Sequence, residues 1–322
     1  MCVFRTGEAV KLTGGERCSG KFRLLVAMLA FFHAETRKVV KVCVIGRGCW
    51  RGRQQGVRSV DGVWGCRSES CSRSGVLTMG SSGQTAGYQR WSRLTFLHWR
   101  VSAELLQRHL PAGLQVETFD GSAWLGLVPF SMEAVRPWWS PPVPGVSWFL
   151  ETNVRTYVRS GDGRRGVWFF SLDANNRLAV FIARTFWNLP YFNASLQLRE
   201  SVPAGESMPG RCLFYDGRRS GRGGVDYDIT VRVSREEPWA ALPGTLEHFL
   251  VERYLLFCAD RRGRLYTGQV HHDPYRIQCV SESRIRESIT GALIPGLVLS
   301  GGPDHAAYSQ GVDVRISPIQ PF

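Results

Sequence analysis

Ionisable side chains recur at alternate positions of the segment ETNVRTYV, residues 151–158. Successive side chains of an extended strand point to opposite faces, so Glu151, Asn153, Arg155 and Tyr157 are predicted to share one face. A positioned carboxyl can transfer a proton, and a guanidinium can hold a carboxylate through two parallel hydrogen bonds. The pattern therefore predicts binding of an acidic small molecule, or acid–base chemistry on it.

Arg155 has two interpretations, and the sequence leaves both open. An interior guanidinium is costly to bury without a partner, and an ion pair with Glu151 or Asp173 would satisfy it. Alternatively, Arg155 anchors the carboxylate of a ligand, with Asn153 adding an amide donor or acceptor. The two interpretations are compatible if the ligand displaces or shares the acid.

The histidines do not indicate a metal site. His271 and His272 are adjacent, and adjacent strand residues point to opposite faces, so their imidazoles cannot easily share one ion. His98 is predicted to be a buried, hydrogen-bonded histidine and is included among the candidate ligand-binding residues. The glycine-rich segments GDGRRG and SGRGG lack the spacing of a phosphate-binding loop. No metal and no cofactor are expected.

The elements that position these residues are predicted to be mostly strands. Segments such as SWFLETNVRTYVRS and GVWFFSLDA are rich in strand formers, and GDGRRG between them is typical of a hairpin turn. Asp120-Gly121 is predicted to turn another hairpin. Helices are expected after Ser102, over residues 176–187 and over residues 242–259. This order predicts one α+β domain over residues 80–322, around an antiparallel, barrel-like sheet with a few peripheral helices.

The first quarter of the chain differs in composition from the rest. Residues 1–79 carry 14 Lys and Arg against 5 Asp and Glu, whereas residues 80–322 carry 26 against 22. The net charge of +13 therefore lies mostly in a segment without sustained periodicity, and no basic run with interleaved aromatics follows it. We expect residues 1–79 to be a disordered or mis-annotated extension, with Met79 as an alternative start. Binding to nucleic acid is not expected.

Two further features bear on location. The apolar run at residues 24–32, LLVAMLAFF, is shorter than the roughly 20 residues that span a bilayer. A signal peptide is the alternative, with an unusually long basic region before it and a poor cleavage site after it. Six of the nine cysteines precede residue 80, and neither set shows the spacing of a zinc site or a full disulfide framework. The sequence favours a cytoplasmic protein with reduced thiols and no membrane partner.

Several segments resemble a known family. They are LTFLHWRVSAELLQRHLPAGLQVETFDGSAWLGLVPFSM, ETNVRTYV, GVWFFSLDA, LPYFNA, ERYLLF and GQVHHDPY, in order over roughly residues 90–320. Together they are similar to the YqjF-like family of uncharacterised proteins, within the acetoacetate-decarboxylase-like superfamily. The resemblance implies a barrel-like antiparallel β fold with helices packed outside and an interior pocket.

The resemblance also shows where this chain departs from the true decarboxylases. Their signature Y-V-D-x-D-x-A-L-A-A-G-R-E-x-W-G-[FY]-P-K-K corresponds here to SLDANNRLAVFIARTFWNLPYFNA, with Asp173 and Pro190 retained. The two lysines fall on Tyr191 and Phe192, and no lysine occurs after Lys41. A Schiff base requires an amine of depressed pKa, so decarboxylation by the family mechanism is not expected.

The resemblance leaves a pocket without an amine. Glu151 matches an acidic position of the superfamily, and Tyr191 would place a phenol where the decarboxylases have a lysine. A phenol there either donates a hydrogen bond or acts as an acid, or it only packs in the core. We expect Glu151 and Tyr191 to be catalytic candidates, and Arg155, Asn153, Asp173 and His98 to be ligand-binding candidates.

The expected function is binding of, or catalysis on, a small carboxylate or carbonyl compound without a Schiff-base lysine. The alternative is a non-catalytic ligand-sensing or structural β-barrel protein. Whether the chain is an enzyme, and whether it forms a homo-oligomer, the sequence leaves open.

Overall fold

The computed structural model describes residues 85–201, 210–221 and 224–322, together with the backbone of residues 2–4 and 42–44. The chain divides into two compact units, Met1–Ser81 and Ser82–Phe322. In the first unit, β1 (Cys2–Phe4) pairs antiparallel with β2 (Val42–Val44). The prediction of a disordered or mis-annotated extension over residues 1–79 otherwise lies outside the described residues and stays a prediction.

Within the described part of the second unit, fourteen strands form one hydrogen-bonded sheet. The strands are β3 (Gly87–Val101), β4 (Leu114–Val116), β5 (Ala123–Pro137), β6 (Phe149–Ser160), β7 (Arg165–Ala174), β8 (Tyr191–Ser201), β9 (Arg211–Arg219), β10 (Asp226–Val233), β11 (Trp239–Ala240), β12 (Leu255–Ala259), β13 (Leu265–His271), β14 (Arg276–Glu287), β15 (His305–Ile316) and β16 (Gln320–Pro321). The pairings are antiparallel except that β7 pairs parallel with both β8 and β12.

Four helices in the described residues connect these strands: α1 (Ala103–Gln107), α2 (Arg177–Phe186), α3 (Leu246–Val251) and α4 (Ile289–Leu293). Ser102 caps α1, as predicted, by accepting a hydrogen bond from the Leu105 amide. Asn176 caps α2 by accepting from two amides of its first turn. None of the helices in the described ranges has the length and apolar character needed to cross a lipid bilayer.

Two predicted elements were wrong in part. The helix predicted over residues 242–259 ends at Val251, because Leu255–Ala259 pairs with β13 and β7 as strand β12. Tertiary pairing overrides helix propensity there. Asp120 and Gly121 do form a tight turn, with positive φ values of 49° and 74°. Phe119 and Ser122 pair antiparallel across this turn, but the pairing does not extend to β4, because β4 pairs with β6.

The strands β15, β3, β5, β6 and β7 pair in that order and form a wall with a hydrophobic core on each face. Adjacent residues alternate between the two cores, as the pleat requires. On β3, Phe96 packs in the first core and Leu97 in the second; on β6, Tyr157 packs in the first and Val154 in the second. The architecture is therefore α+β, with a mainly antiparallel sheet that is barrel-like on both sides of this wall.

The sheet closes around both cores. On the first-core side, β12 and β13 connect β7 back to β15. On the second-core side, β8, β9, β10 and β14 make the same connection. In the middle of β6 and β7, side chains are therefore enclosed on either face, which is why Glu151, Arg155 and Asp173 are buried.

Candidate functional site

Glu151 and Tyr191 form a buried pair in the first core. The Tyr191 hydroxyl donates a hydrogen bond of 2.7 Å to Oε2 of Glu151. Glu151 is 3% exposed on β6, and Tyr191 is the first residue of β8. Burial raises the pKa of Glu151 to about 8, while the hydrogen bond from Tyr191 opposes the shift. Burial also raises the pKa of Tyr191 well above its ordinary value. The pair is therefore neutral at pH 7, and the protonated carboxyl is itself a donor.

Arg155 lies on the same face of β6, and its contacts are not those of an ion pair. One guanidinium nitrogen donates to the Leu250 carbonyl at 2.9 Å. The guanidinium carbon lies 5.5 Å from the centre of the Phe96 ring and 5.7 Å from that of Tyr157. Within the described ranges, no carboxylate lies within ion-pair distance of Arg155, and its Nε atom is buried without a hydrogen-bond partner. The ion pair with Glu151 or Asp173, one of the two interpretations of Arg155 that the sequence left open, is therefore not formed.

A chain of hydrogen bonds adjoins Arg155. Tyr157 donates to the Leu250 carbonyl at 2.7 Å, so its oxygen accepts from Nε2 of His98, also at 2.7 Å. With its proton on Nε2, neutral His98 uses Nδ1 as an acceptor, and His305 donates to it from its own Nδ1 at 3.0 Å. Burial, together with His305 and Arg155, lowers the pKa of His98 well below its ordinary value. The order of donors therefore fixes the tautomers of both imidazoles.

Asn153 lies between these two groups. It follows Glu151 and precedes Arg155 by two residues each, so its side chain is about 7 Å along the strand from either neighbour. Asn153 is 5% exposed, and its Oδ1 atom is buried without a hydrogen-bond partner. Buried polar atoms are normally paired. Asn153 Oδ1 and Arg155 Nε are therefore unsatisfied polar atoms on this face of β6.

Asp173 lies apart from the other candidates. It pairs in register with Thr152, whereas Leu172 and Ala174 on either side of it belong to the first core. Asp173 thus points to the opposite face of the wall, where Arg219 holds it through two nitrogens at 3.1 and 2.7 Å. Burial raises the pKa of Asp173, and Arg219 opposes that shift. The structure does not place Asp173 with Glu151, Asn153 and Arg155, and its ligand-binding role stays a prediction.

The adjacent histidines diverge, as the strand geometry predicts. Nε2 of His271 lies 3.4 Å from the Ser317 hydroxyl, whereas the His272 ring packs against Tyr254 and Tyr275 with centroids 4.7 Å apart in each case. Among the residues that the structure describes, no group of three or more His, Cys, Asp or Glu side chains is arranged to hold a metal ion.

Three groups of the site were missed in the sequence. Tyr157 was placed on the correct face but was not named as a site residue. His305 follows His98 by 207 residues, and no local pattern links them. Leu250 contributes only its carbonyl oxygen, which no side-chain motif reveals. These groups come together through the β3–β15 pairing and the position of α3, which are tertiary features.

The chain belongs to the DUF2071 family, described as an uncharacterized conserved protein, which it matches over residues 88–313. It is 32% identical over 232 residues to the uncharacterized protein YqjF of Bacillus subtilis (strain 168), covering 72% of this chain and 90% of that protein. The predicted membership of the YqjF-like family is thereby confirmed.

The solved structures that resemble this chain share its fold at low identity. An acetoacetate decarboxylase-like enzyme from Sphingomonas wittichii RW1 has a TM-score of 0.53 at 17% identity, over 78% of this chain and 99% of that chain. The enduracididine biosynthesis enzyme MppR has a TM-score of 0.50 at 14% identity, over 74% and 91%. These likenesses confirm the predicted acetoacetate-decarboxylase-like fold.

Proposed function

We propose that this protein binds a small carboxylate with a keto or other carbonyl group, over Asn153 in the first core. Arg155 would hold the carboxylate at one end, and the Glu151–Tyr191 pair would face the carbonyl at the other. The observation that carries the proposal is an interior guanidinium that has no carboxylate partner among the described residues, on the same strand face as a carboxyl whose pKa is raised to about 8 by burial.

The charges favour an anionic ligand. Arg155 is 9% exposed, and its guanidinium contacts one carbonyl oxygen and two aromatic rings. A ligand carboxylate would neutralise this charge and can accept from the unpartnered Nε. Glu151 does not oppose such an anion, because burial raises its pKa to about 8.

The chemistry supported at the other end is proton transfer without a covalent intermediate. A protonated Glu151 can donate a hydrogen bond to a carbonyl oxygen and stabilise the negative charge that develops there in an enolisation or addition. Tyr191 orients the carboxyl through its hydrogen bond. No lysine after Lys41 can form an imine, so lyase, isomerase or hydratase chemistry of the acid–base type is the class that fits.

A second candidate is ligand sensing without turnover. Its support is that Glu151 and Tyr191 already satisfy each other, and that the Leu250 carbonyl already accepts from Arg155. In that case Glu151 and Tyr191 would only hold the shape of the pocket. Both candidate functions include a cytoplasmic location. Cys212 and Cys279 form no disulfide, which is consistent with that location.

The test is calorimetric titration of the full chain with pyruvate, acetate and acetone. Pyruvate is a suitable first probe because MppR was solved in complex with it. Acetate carries the carboxylate alone and acetone the carbonyl alone. We expect binding in the order pyruvate, acetate, acetone. A ligand at 100 times its dissociation constant should also add about 2.7 kcal/mol to the free energy of unfolding.

The matched variants are Arg155→Ala and Arg159→Ala, since Arg159 lies on the same strand and is exposed. We expect Arg155→Ala to abolish pyruvate binding and Arg159→Ala to leave it unchanged. If Arg155→Ala does not fold, Arg155→Lys preserves the charge and should bind more weakly than the wild type. Equal pyruvate affinity in the wild type and a folded Arg155 variant would exclude this proposal. Turnover of a bound ligand that is lost in Glu151→Gln separates catalysis from sensing.

A further inference from the structure

A row of four side chains crosses the face of the sheet that points away from the first core. In the strand register, His271 lies opposite Arg315, Arg315 opposite Tyr88, and Tyr88 opposite Arg136. Directly opposed residues point to the same face of a sheet. Val314, next to Arg315, is buried in the first core, so the row faces outward. Two guanidiniums thus flank one phenol ring.

A groove opens along this row. It has a volume of about 370 Å³, within the range of small-molecule pockets, which is roughly 300–1,000 Å³. All four residues of the row line it, and the rest of the lining includes Ala134, His272 and the acidic residues Asp273 and Asp313. The groove lies on the face opposite to Arg155 and Glu151, so it is separate from the interior site.

The two flanking arginines lack acidic partners. Arg90, which also lines the groove, is paired with Asp313 at 3.1 Å. In the described part of the chain, neither Arg136 nor Arg315 forms an ion pair, and the Arg136 guanidinium lies 5.2 Å from the centre of the Tyr88 ring. Their strands are two spacings apart, about 10 Å. Both side chains are long enough to converge on one anion above Tyr88.

Two local features indicate a binding site at this groove. The β3–β5 register shifts between Tyr88 and Arg90, and Ala134 in the resulting bulge has a φ of 50°. Bulges and strained non-glycine residues of this kind often occur at functional sites.

We propose that this groove binds a small oxyanion, a phosphate or carboxylate group, held between Arg136 and Arg315. Guanidiniums bind both groups through paired hydrogen bonds, and the Tyr88 hydroxyl adds a donor between them. This site does not depend on the function proposed for the interior.

The test is titration calorimetry at constant ionic strength with inorganic phosphate and, separately, citrate. We expect one or both probes to bind the wild type. Binding of only one of them would show whether the groove selects a phosphate or a carboxylate group. The double variant Arg136→Ala/Arg315→Ala should bind about tenfold more weakly or not at all. The control Arg261→Ala/Arg284→Ala removes the same charge from exposed positions outside the groove and should bind like the wild type.

Two outcomes would overturn the proposal. One is the absence of binding of both probes to the wild type at about 10 mM, a concentration that exceeds even a millimolar dissociation constant. The other is equal weakening in the groove variant and the control, which would mean that only the overall charge matters. Arg155→Ala should leave phosphate binding intact, and pyruvate binding that survives in Arg136→Ala/Arg315→Ala but is lost in Arg155→Ala belongs to the interior site. Failure of the interior site and failure of the groove can therefore be told apart.

Discussion

Two carboxyl groups lie buried on neighbouring strands of the same wall and face opposite cores. Glu151 on β6 points into the first core and accepts a hydrogen bond from the phenol of Tyr191. Asp173 on β7 points into the second core and is held by the guanidinium of Arg219. Burial raises the pKa of both, but only Asp173 has a cation to oppose the shift.

The difference shows how the partner decides the role of a buried acid. The Asp173–Arg219 pair satisfies itself, and the Arg219 guanidinium also lies 4.0 Å from the centre of the Phe192 ring. The hydrogen bonds between Asp173 and Arg219 already use the groups that would otherwise contact a ligand. Glu151 has a neutral partner and stays protonated, while the cation on its own face, Arg155, has no acid among the described residues. The proposed anionic ligand is therefore assigned to the first core and not to the second.

The largest expected effect comes from breaking the ion pair of the second core. Arg219→Met would leave the fully buried Asp173 without its cation, and the free energy of unfolding should fall by about 3–5 kcal/mol. Urea denaturation measures this value. The double variant Asp173→Asn/Arg219→Met removes both charges and should be more stable than the single variant. A single variant as stable as the double would show that Asp173 does not depend on Arg219.

The next largest effect is the pH dependence that Glu151 confers. The pKa of Glu151 is raised to about 8 in the folded state, against about 4.3 when unfolded, so the folded state binds more protons between these values. The protonated Glu151 makes its full contribution to the free energy of unfolding below the unfolded pKa, and this contribution is lost as pH rises through 8. The free energy of unfolding should fall by up to about 1 kcal/mol per pH unit in this range.

Glu151→Gln should remove this dependence between pH 5 and 8. Urea midpoints of both proteins across that range give the comparison, and the difference between them isolates Glu151 from the opposite effect of His98, whose pKa is lowered. The same slope in wild type and variant would mean that Glu151 is ionised in the folded protein.

A smaller effect is expected from Tyr191→Phe. The variant loses the hydrogen bond from the Tyr191 hydroxyl to Glu151, and its free energy of unfolding should fall by about 1–2 kcal/mol. Because the bond lowers the pKa of Glu151, its loss should also move that pKa further upward. The control is Tyr215→Phe in the second core, which loses a hydrogen bond to the Arg93 carbonyl. It should leave the Glu151 pKa unchanged, and a similar shift in both variants would contradict a specific pairing.

The smallest effect is spectroscopic and concerns His98. Nitrogen NMR should show a neutral imidazole with its proton on Nε2 at pH 6, because Tyr157 can accept only from that atom and the pKa is lowered. His98→Gln assigns the signal. A proton on Nδ1, or titration near the ordinary value, would show that the donor order from His305 to Tyr157 is wrong.

The sequence predicted the parts of the site that depend on local alternation. The period-2 pattern of ETNVRTYV placed Glu151, Asn153, Arg155 and Tyr157 on one face, and the structure has them there. The same alternation, applied to β7, would have placed Asp173 on the face opposite to Leu172 and Ala174. The family resemblance predicted the fold, and it predicted that Tyr191 and Glu151 line the same pocket.

The sequence could not predict the partners supplied by distant strands. Arg219 comes from β9 and His305 from β15, and no local periodicity indicates which strands will be neighbours. The Arg155 partner was missed for another reason. It is the carbonyl of Leu250 in α3, an element whose end was misplaced because an apolar run of that length fits a helix as well as a helix followed by a strand.

The protonation state of Glu151 at neutral pH decides whether the first core contains a proton donor. Carbon NMR of protein labelled at the glutamate side-chain carboxyl, titrated from pH 3 to 10, measures this directly. We expect one carboxyl with a midpoint near pH 8 that is absent from Glu151→Gln. If every glutamate titrates near the ordinary value of about 4.3, Glu151 is ionised and cannot serve as the proton donor of the first core.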